Sequence, residues 1–252
     1  MKCRLDQLLV NKGLIESRTK AKALILAGEV LVDNTPVDKT GTLVSETAEL
    51  RIKQRPKYVS RGGIKLEKAL SDFNINVTDK VAVDVGASTG GFTDCLLRHG
   101  AAKVYAVDVG YGQMHWSLQG DTRVVRIDRQ NFRNIDINLI CDPVDIVVMD
   151  VSFISIKLLI PKITALFNKP HSCQHQTLIA LIKPQFEVGR ENIGKGGIVK
   201  SVVARERVLN ELIKHISDHG FINPQTVVSP ITGADGNIEY LLCAPYKNKL
   251  PT

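Results

Sequence analysis

Val81-Ala82-Val83-Asp84-Val85, followed at once by Gly86-Ala87-Ser88-Thr89-Gly90-Gly91 and then Phe92-Thr93-Asp94, is the stretch whose reading decides the fold. A short apolar run rich in valine predicts a buried strand, the glycines predict a tight turn, and a helix is expected from Phe92 to Arg98. The same alternation continues outward. Val104–Asp108, Val124–Ile127, Asp145–Asp150 and Thr177–Lys183 each read as a further strand. Apolar strands separated by helical stretches predict a parallel, doubly wound α/β sheet with helices on both faces. Ligands of such sheets bind outside the carboxyl ends of the strands. Asp84, Asp108, Asp150 and Lys183 all fall at strand ends, so they are expected around one crevice.

The ligand can be narrowed from the glycine turn. A dinucleotide fingerprint needs Gly-x-Gly-x-x-Gly and an acidic residue about 20 positions on. Asp108 lies 22 residues after Gly86 and suits ribose hydroxyls. Ser88 stands where the second glycine would let a pyrophosphate approach the backbone. A cofactor with ribose and adenine but no pyrophosphate fits better, which points to S-adenosylmethionine.

Taken further, Asp84-Val85-Gly86-Ala87-Ser88-Thr89-Gly90-Gly91-Phe92-Thr93-Asp94 resembles the cofactor loop of FtsJ-type ribose methyltransferases. Ser60–Leu66, Asp108–Gln113, Asp150–Ser155 and Ile182–Glu187 extend the resemblance over nearly the whole chain to the TlyA (hemolysin A) family. That resemblance implies a class I methyltransferase Rossmann-like sheet and S-adenosylmethionine-dependent 2′-O-methylation of rRNA ribose, on cytidine of the small or large subunit. It nominates Asp84, Gly86, Ser88, Gly90, Gly91, Phe92, Asp108 and Asp128 for the cofactor, with Asp108 on the ribose and Asp128 near the adenine. It also implies a Lys-Asp-Lys-Glu catalytic set, which falls on Lys65, Asp150, Lys183 and Glu239.

Such an enzyme must make a ribose hydroxyl attack a methyl carbon in line. Juxtaposition supplies proximity, and a positioned base adds about 10²–10⁴-fold. Lys183 is the candidate to contact the hydroxyl, either as a neutral base or as a cation stabilising the developing alkoxide. The segment Asp150-Val151-Ser152-Phe153 lacks the Pro-Pro pair common in enzymes that methylate exocyclic amines, which disfavours a base nitrogen as acceptor.

Upstream, Arg4–Val10 reads as a short helix closed at Gly13, and Arg18–Ala27 as a second helix capped by Ser17 and stopped at Gly28. Arg18 and Lys22 are neighbours at i,i+4, and their repulsion would be relieved by an anionic partner. Val30–Val32 and Glu49–Ile52 read as strands around a turn at Asp33–Pro36. Arg4-Leu5-Asp6, Gly13, Ser17-Arg18, Ala21 and Gly28–Asp33 resemble the S-four (alpha-L) RNA-binding fold, a small α+β domain. The resemblance nominates Arg4, Arg18, Lys20 and Lys22 as RNA contacts. The organisation expected is therefore an RNA-binding domain at 1–55, a linker at 56–63 and a methyltransferase domain at 64–252. A helix carrying Leu66, Ala69, Leu70 and Phe73 opens the last of these, and Lys65 on its flank would by itself read as a snorkelling lysine were it not for the resemblance.

Charge agrees with that division. The 252 residues carry a formal net charge of +7, and all but one unit of it lies in residues 1–68. An uneven basic excess suits electrostatic docking to an anionic partner, here ribosomal RNA or a ribosomal subunit. With 44% hydrophobic residues and no apolar run near the roughly 18 residues of a membrane span, the expected location is the cytoplasm. Five cysteines without a Cys-x-x-Cys pair argue against a disulfide framework. His171-Ser172-Cys173-Gln174-His175 has a metal-like look but lacks a fourth ligand nearby, so no metal is expected. Gly194–Lys200 reads as a mobile basic loop, and Tyr111 and Trp116 as aromatics for packing or base stacking. Two other functions compete: a membrane-active protein, after the family's hemolysin label, and a non-catalytic RNA-binding protein.

Overall fold

The structure, a computed structural model, describes residues 2–53, 56–169, 175–233 and 235–247. The chain forms two compact units, divided between Pro56 and Lys57.

In the first unit β1 (Lys2–Arg4) leads into α1 (Leu5–Asn11) and α2 (Arg18–Leu26), followed by β2 (Val30–Val32), β3 (Thr35–Val37), β4 (Leu43–Ser45) and β5 (Leu50–Ile52). Strands β3, β2 and β5 make an antiparallel sheet, while β1 pairs with β4. Leu5, Leu8 and Leu9 of α1 meet Ala21 and Ile25 of α2 in a small core closed by Val30 and Val44. Ser17 caps α2 as expected, its hydroxyl accepting from the Lys20 N–H at 3.3 Å.

The second unit begins with α3 (Gly62–Asp72) and continues through β6 (Val81–Val85), α4 (Gly91–Arg98), β7 (Lys103–Val107), α5 (Trp116–Gln119) and β8 (Val124–Ile127). Next come β9 (Ile146–Met149), α6 (Ile160–Phe167), β10 (Gln176–Ile182), α7 (Val202–Asp218), β11 (Gln225–Val228) and β12 (Tyr240–Tyr246). The seven strands lie in the order β11-β12-β10-β9-β6-β7-β8. Neighbours from β10 to β8 are parallel, and β12 runs antiparallel between β10 and β11.

Strand parity distributes the side chains between two cores. Val83, Val85, Val147, Met149, Leu178 and Ala180 point to the face covered by α6 and α7. Ala82, Val104, Ala106, Val148 and Ile179 point to the opposite face, under α3 and α4. Each fully buried aliphatic side chain stabilises the fold by roughly 1.5–3 kcal/mol, so both helical layers are firmly held. The sheet order reverses between β6 and β9, where the crevice at the strands' carboxyl ends opens.

The expected linker is not a free connection. Tyr58 is buried in the second unit, the Val59 N–H donates to Asp94 Oδ2 at 2.9 Å, and α3 already begins at Gly62. No helix among the described residues is long and apolar enough to cross a membrane.

Candidate active site

The loop after β6 closes tightly because its backbone turns left-handed at Gly86, Ser88 and Gly90. At Gly86 (φ +81°) a Cβ would lie 2.6 Å from the Asp150 carbonyl oxygen, and at Gly91 a Cβ would lie 2.1 Å from Ser60 Oγ. Glycine is therefore required both to turn the chain and to leave space against two neighbouring segments. The loop forms part of two adjoining cavities. The larger, about 1070 Å³, extends from Gly86 and Asp108 to Gln130–Arg133 on one side and to Phe153, Gln185 and Phe186 on the other. The smaller, about 190 Å³, lies between Ser60 and Gly62, the loop residues Gly86–Thr89, Gly91 and Phe92, and the trio Asp150, Ser152 and Lys183.

Asp108 stands just past β7, where its Oδ2 accepts from the Ser88 N–H at 2.8 Å and its Oδ1 from the Gly110 N–H at 2.7 Å. Each oxygen keeps a lone pair for the cavity, so the carboxylate is held ready to accept two hydroxyl protons. Asp84 sits elsewhere. Its parity is that of Ala82, which turns the side chain under α4, away from both linings. It is completely buried, and Oδ2 accepts from the Thr93 hydroxyl at 2.7 Å while Oδ1 has no partner. Burial pushes this carboxyl up to about 7, with the Asp150 and Asp108 charges adding to the rise and the Thr93 bond opposing it. Asp84 thus braces the loop from behind, through Thr93 of α4. Asp128 Oδ2 accepts from the Gly112 N–H at 3.3 Å, and the neighbouring Gln130, Asn131 and Phe132 line the larger cavity.

The Lys-Asp-Lys-Glu set resolves into two ion pairs. Lys183 Nζ lies 2.7 Å from Asp150 Oδ1 and donates to Ser152 Oγ at 2.8 Å, all three residues lining the smaller cavity. Lys65 Nζ lies 2.5 Å from Glu239 Oε2, with the side chains only 9% and 3% exposed and outside both linings. Strand register explains the neighbourhood. The β10–β12 ladder ends at Ile182 and Tyr240, which places Lys183 and Glu239 at the same end of adjacent strands. Lys65 is no snorkelling lysine, because it shares the buried face of α3 with Leu66 and Ala69.

Phe153 was not singled out by sequence reasoning, yet it is 90% exposed and has φ +64°. Its ring lies 5.0 Å from that of Phe186 at the cavity edge. A left-handed aromatic residue is a strained arrangement that the surrounding structure must enforce. Tyr111 and Trp116 are also exposed, with the Arg129 guanidinium 4.1 Å from the Tyr111 ring centre, so neither aromatic is core packing.

The proposed RNA contacts of the first unit are mostly engaged within it. Asp6 is fully buried, with Arg4 Nε at 3.0 Å and Arg18 Nη2 at 2.9 Å. Burial alone would raise that carboxyl, but the two guanidiniums outweigh it and hold it at about 2. Arg18 therefore has a carboxylate beside it that it shares with Arg4, and the three groups together keep one positive charge. Lys20 pairs with Glu16, and Lys22 is exposed on α2. Both guanidiniums remain half-exposed, so the triad leaves them a solvent-facing edge.

The expected mobile loop at 194–200 is tied down, with Asn237 accepting from the Val199 N–H and donating to the Gly197 carbonyl. His171–Gln174, the body of the metal-like cluster, lie outside the described residues.

Comparison with known proteins agrees with this geometry. The FtsJ-like methyltransferase family profile matches residues 58–246, and the S4 domain profile matches residues 3–50. Hemolysin A of Brachyspira hyodysenteriae is 46% identical over 94% of this chain and 98% of its own length. The 16S/23S rRNA (cytidine-2′-O)-methyltransferase TlyA of Mycobacterium tuberculosis is 41% identical over 96% of this chain and 89% of its own. The solved structure of a "putative hemolysin" from Streptococcus thermophilus superposes with a TM-score of 0.73 at 40% identity, covering 100% of this chain and 92% of that one. The chain is accordingly a member of the FtsJ-like methyltransferase family, in the branch that carries the TlyA and hemolysin A names, with an S4 domain as its first unit.

Proposed function

We propose that this protein transfers a methyl group from S-adenosylmethionine to the 2′-hydroxyl of a cytidine in ribosomal RNA. The observation that carries the reading is the Lys183–Asp150–Ser152 cluster in a cavity that shares Gly86 and Ser88 with the larger one. A relative named as an rRNA (cytidine-2′-O)-methyltransferase supports the acceptor.

The residues present fit the cofactor. Asp108 would accept the ribose hydroxyls, Gln130 and Phe132 would flank the adenine, and the Gly86–Gly91 loop with Ser60 would receive the amino-acid end. When bound, the group supplies an electrophilic methyl on a sulfonium. The chain then has to bring a hydroxyl to that carbon and manage its proton. Lys183 gives one N–H to Ser152 and balances its charge on Asp150, which leaves an ammonium N–H for a further oxygen. This arrangement favours the cationic role, in which Lys183 stabilises the alkoxide as it develops while the Asp150 carboxylate, in the same cavity, takes up the hydroxyl proton and passes it to solvent. The buried Lys65–Glu239 pair supports that end of β10 and β12 from outside the cavity. Phe153 and Phe186 offer a surface for the target base, since base–aromatic stacking is worth about 1–3 kcal/mol per base. Tyr111 with Arg129, and Trp116, would stack on flanking nucleotides that have left their helix. The S4 domain would add affinity for folded RNA through phosphate contacts, Lys22 and the outer edges of Arg4 and Arg18 among them.

The test is incubation with methyl-labelled S-adenosylmethionine and purified ribosomal subunits, followed by digestion to nucleosides. Label in 2′-O-methylcytidine is expected, and it should vanish in Lys183→Ala while cofactor binding persists. Label on a base, or none with either subunit, would overturn the proposal.

A further inference from the structure

Two loops build the acceptor side of the site, residues 150–156 after β9 and residues 183–187 after β10. The first carries Asp150, Ser152 and Phe153, and the second carries Lys183 and Phe186. They meet at the Lys183–Asp150 and Lys183–Ser152 contacts and again where the Phe153 and Phe186 rings approach. A third connection comes from a residue that lines neither cavity. Glu187 Oε2 accepts from the Ser155 hydroxyl at 2.6 Å, and its Oε1 accepts from the Ile156 N–H at 2.8 Å. Ser155 Oγ also accepts from the Lys157 N–H at 3.2 Å, so the carboxylate grips the start of a 3-10 turn at two points.

We infer that Glu187 is a positioning residue for methyl transfer, a latch that fixes the loop bearing Ser152 and Phe153 against the loop bearing Lys183. The inference rests on the reading given under Proposed function. Its physical ground is the strain at Phe153. A loop that holds an exposed aromatic residue at φ +64° relaxes unless both its ends are tied. Met149 ties one end through the sheet, and Glu187 ties the other. A carboxylate suits the task because it accepts at both oxygens, and hydrogen bonds to an ionised acceptor are about twice as strong as neutral ones. Burial raises the Glu187 carboxyl above the ordinary range, and the Ser155 and Ile156 bonds counter that rise. Releasing the latch would leave Asp108 and the glycine loop intact while Ser152 and Phe153 drift from their places.

The experiment compares full-length Glu187→Ala, Glu187→Gln and Ser155→Ala with the unsubstituted protein. Initial rates are measured on ribosomal subunits, and the affinity for S-adenosylhomocysteine by calorimetry. For Glu187→Ala the expected result is a fall in kcat of about 10²-fold, the cost of misplacing reacting groups by about 1 Å. Cofactor affinity should change by less than about threefold, since Asp108 keeps its Ser88 and Gly110 bonds. Glu187→Gln should recover most of the rate, because its Oε1 can accept from Ile156 and its Nε2 can donate to Ser155. Ser155→Ala should lose part of the rate, and adding it to Glu187→Ala should cost nothing more. Amide exchange supplies a readout independent of activity. The peptide covering residues 150–158 should exchange faster in Glu187→Ala, whereas that covering 84–92 should not. An unchanged kcat in Glu187→Ala, loss of cofactor affinity equal to the loss of rate, or unaltered exchange at 150–158 would each overturn the latch. Should the unsubstituted protein transfer no label, the function reading fails, and the exchange experiment still decides the latch.

Discussion

The Lys65–Glu239 pair offers a prediction whose size follows directly from its burial. Both side chains are almost inaccessible, and the two charged ends are 2.5 Å apart. Glu239→Leu would leave an ammonium buried without its counter-ion, a loss of about 3–5 kcal/mol. For a unit of this size each kcal/mol moves the melting temperature by roughly 2–4 °C, so a drop of about 6–20 °C is expected. Lys65→Met should cost a similar amount by stranding the carboxylate. The double variant Lys65→Met/Glu239→Leu removes both charges and replaces them with apolar groups of similar length, which is often neutral or stabilising. It should therefore melt near the unsubstituted protein, giving a coupling of about 6–10 kcal/mol, the sum of the two single losses. Differential scanning calorimetry of the four proteins, following the transition of the larger unit, measures that coupling. If the double variant loses the sum of the two single losses, the pair does not act as a unit and the reasoning fails.

Other consequences follow from the same geometry. Asp84 has its folded value raised to about 7 from an ordinary 3.8, so the folded state binds the proton more tightly and stability falls as pH rises from about 4 towards 7. Asp84→Asn should consequently raise the melting temperature more at pH 8 than at pH 5, and a pH-independent difference would refute the assignment. Asp108→Ala removes two hydroxyl acceptors of about 1.5–3 kcal/mol each, so calorimetry should show at least about a hundredfold weaker cofactor complex. Lys20→Ala/Lys22→Ala should weaken RNA binding and lower the slope of log K against log salt by about 1–2, since each phosphate contact contributes about 0.7–0.9. An unchanged slope would remove those lysines from the interface.

Local patterns reported part of this molecule, and distant pairings decided the rest. The strands at 81–85, 104–108, 124–127, 145–150 and 177–183 could be read within a residue because their apolar runs stand out, buried on both faces in all but the edge strand at 124–127. The β11–β12 hairpin and α7 were not read. Pro245 marks the last strand as a break, and α7 carries only Ala204, Val208, Leu212 and Ile216 on its buried stripe. The three-residue strands β1 and β4 are too short to show a period. For the site, nearness to a strand end was legible while the last step was not. Asp84 and Asp108 share a parity, since Asp84 pairs with Ala106, but Asp84 lies inside β6 beneath α4 whereas Asp108 stands past the end of β7 at the cavity. Arg18 and Lys22 looked like an unrelieved repulsion, but the counter-charge is Asp6, on another helix and 12 residues away. Phe153 escaped notice because an exposed left-handed aromatic has no sequence signature apart from its neighbours.

Chemistry at the ribose gives the account its most direct test. A 2′-O-methyl group blocks the oxygen that attacks the phosphodiester in alkali, so a methylated cytidine survives as a dinucleotide where unmodified RNA is cut. Ribosomal RNA treated with the protein and S-adenosylmethionine should yield label in an alkali-resistant dinucleotide beginning with cytidine, and Lys183→Ala should yield none. Label found wholly in alkali-sensitive mononucleotides would place the methyl on a base and contradict the central claim.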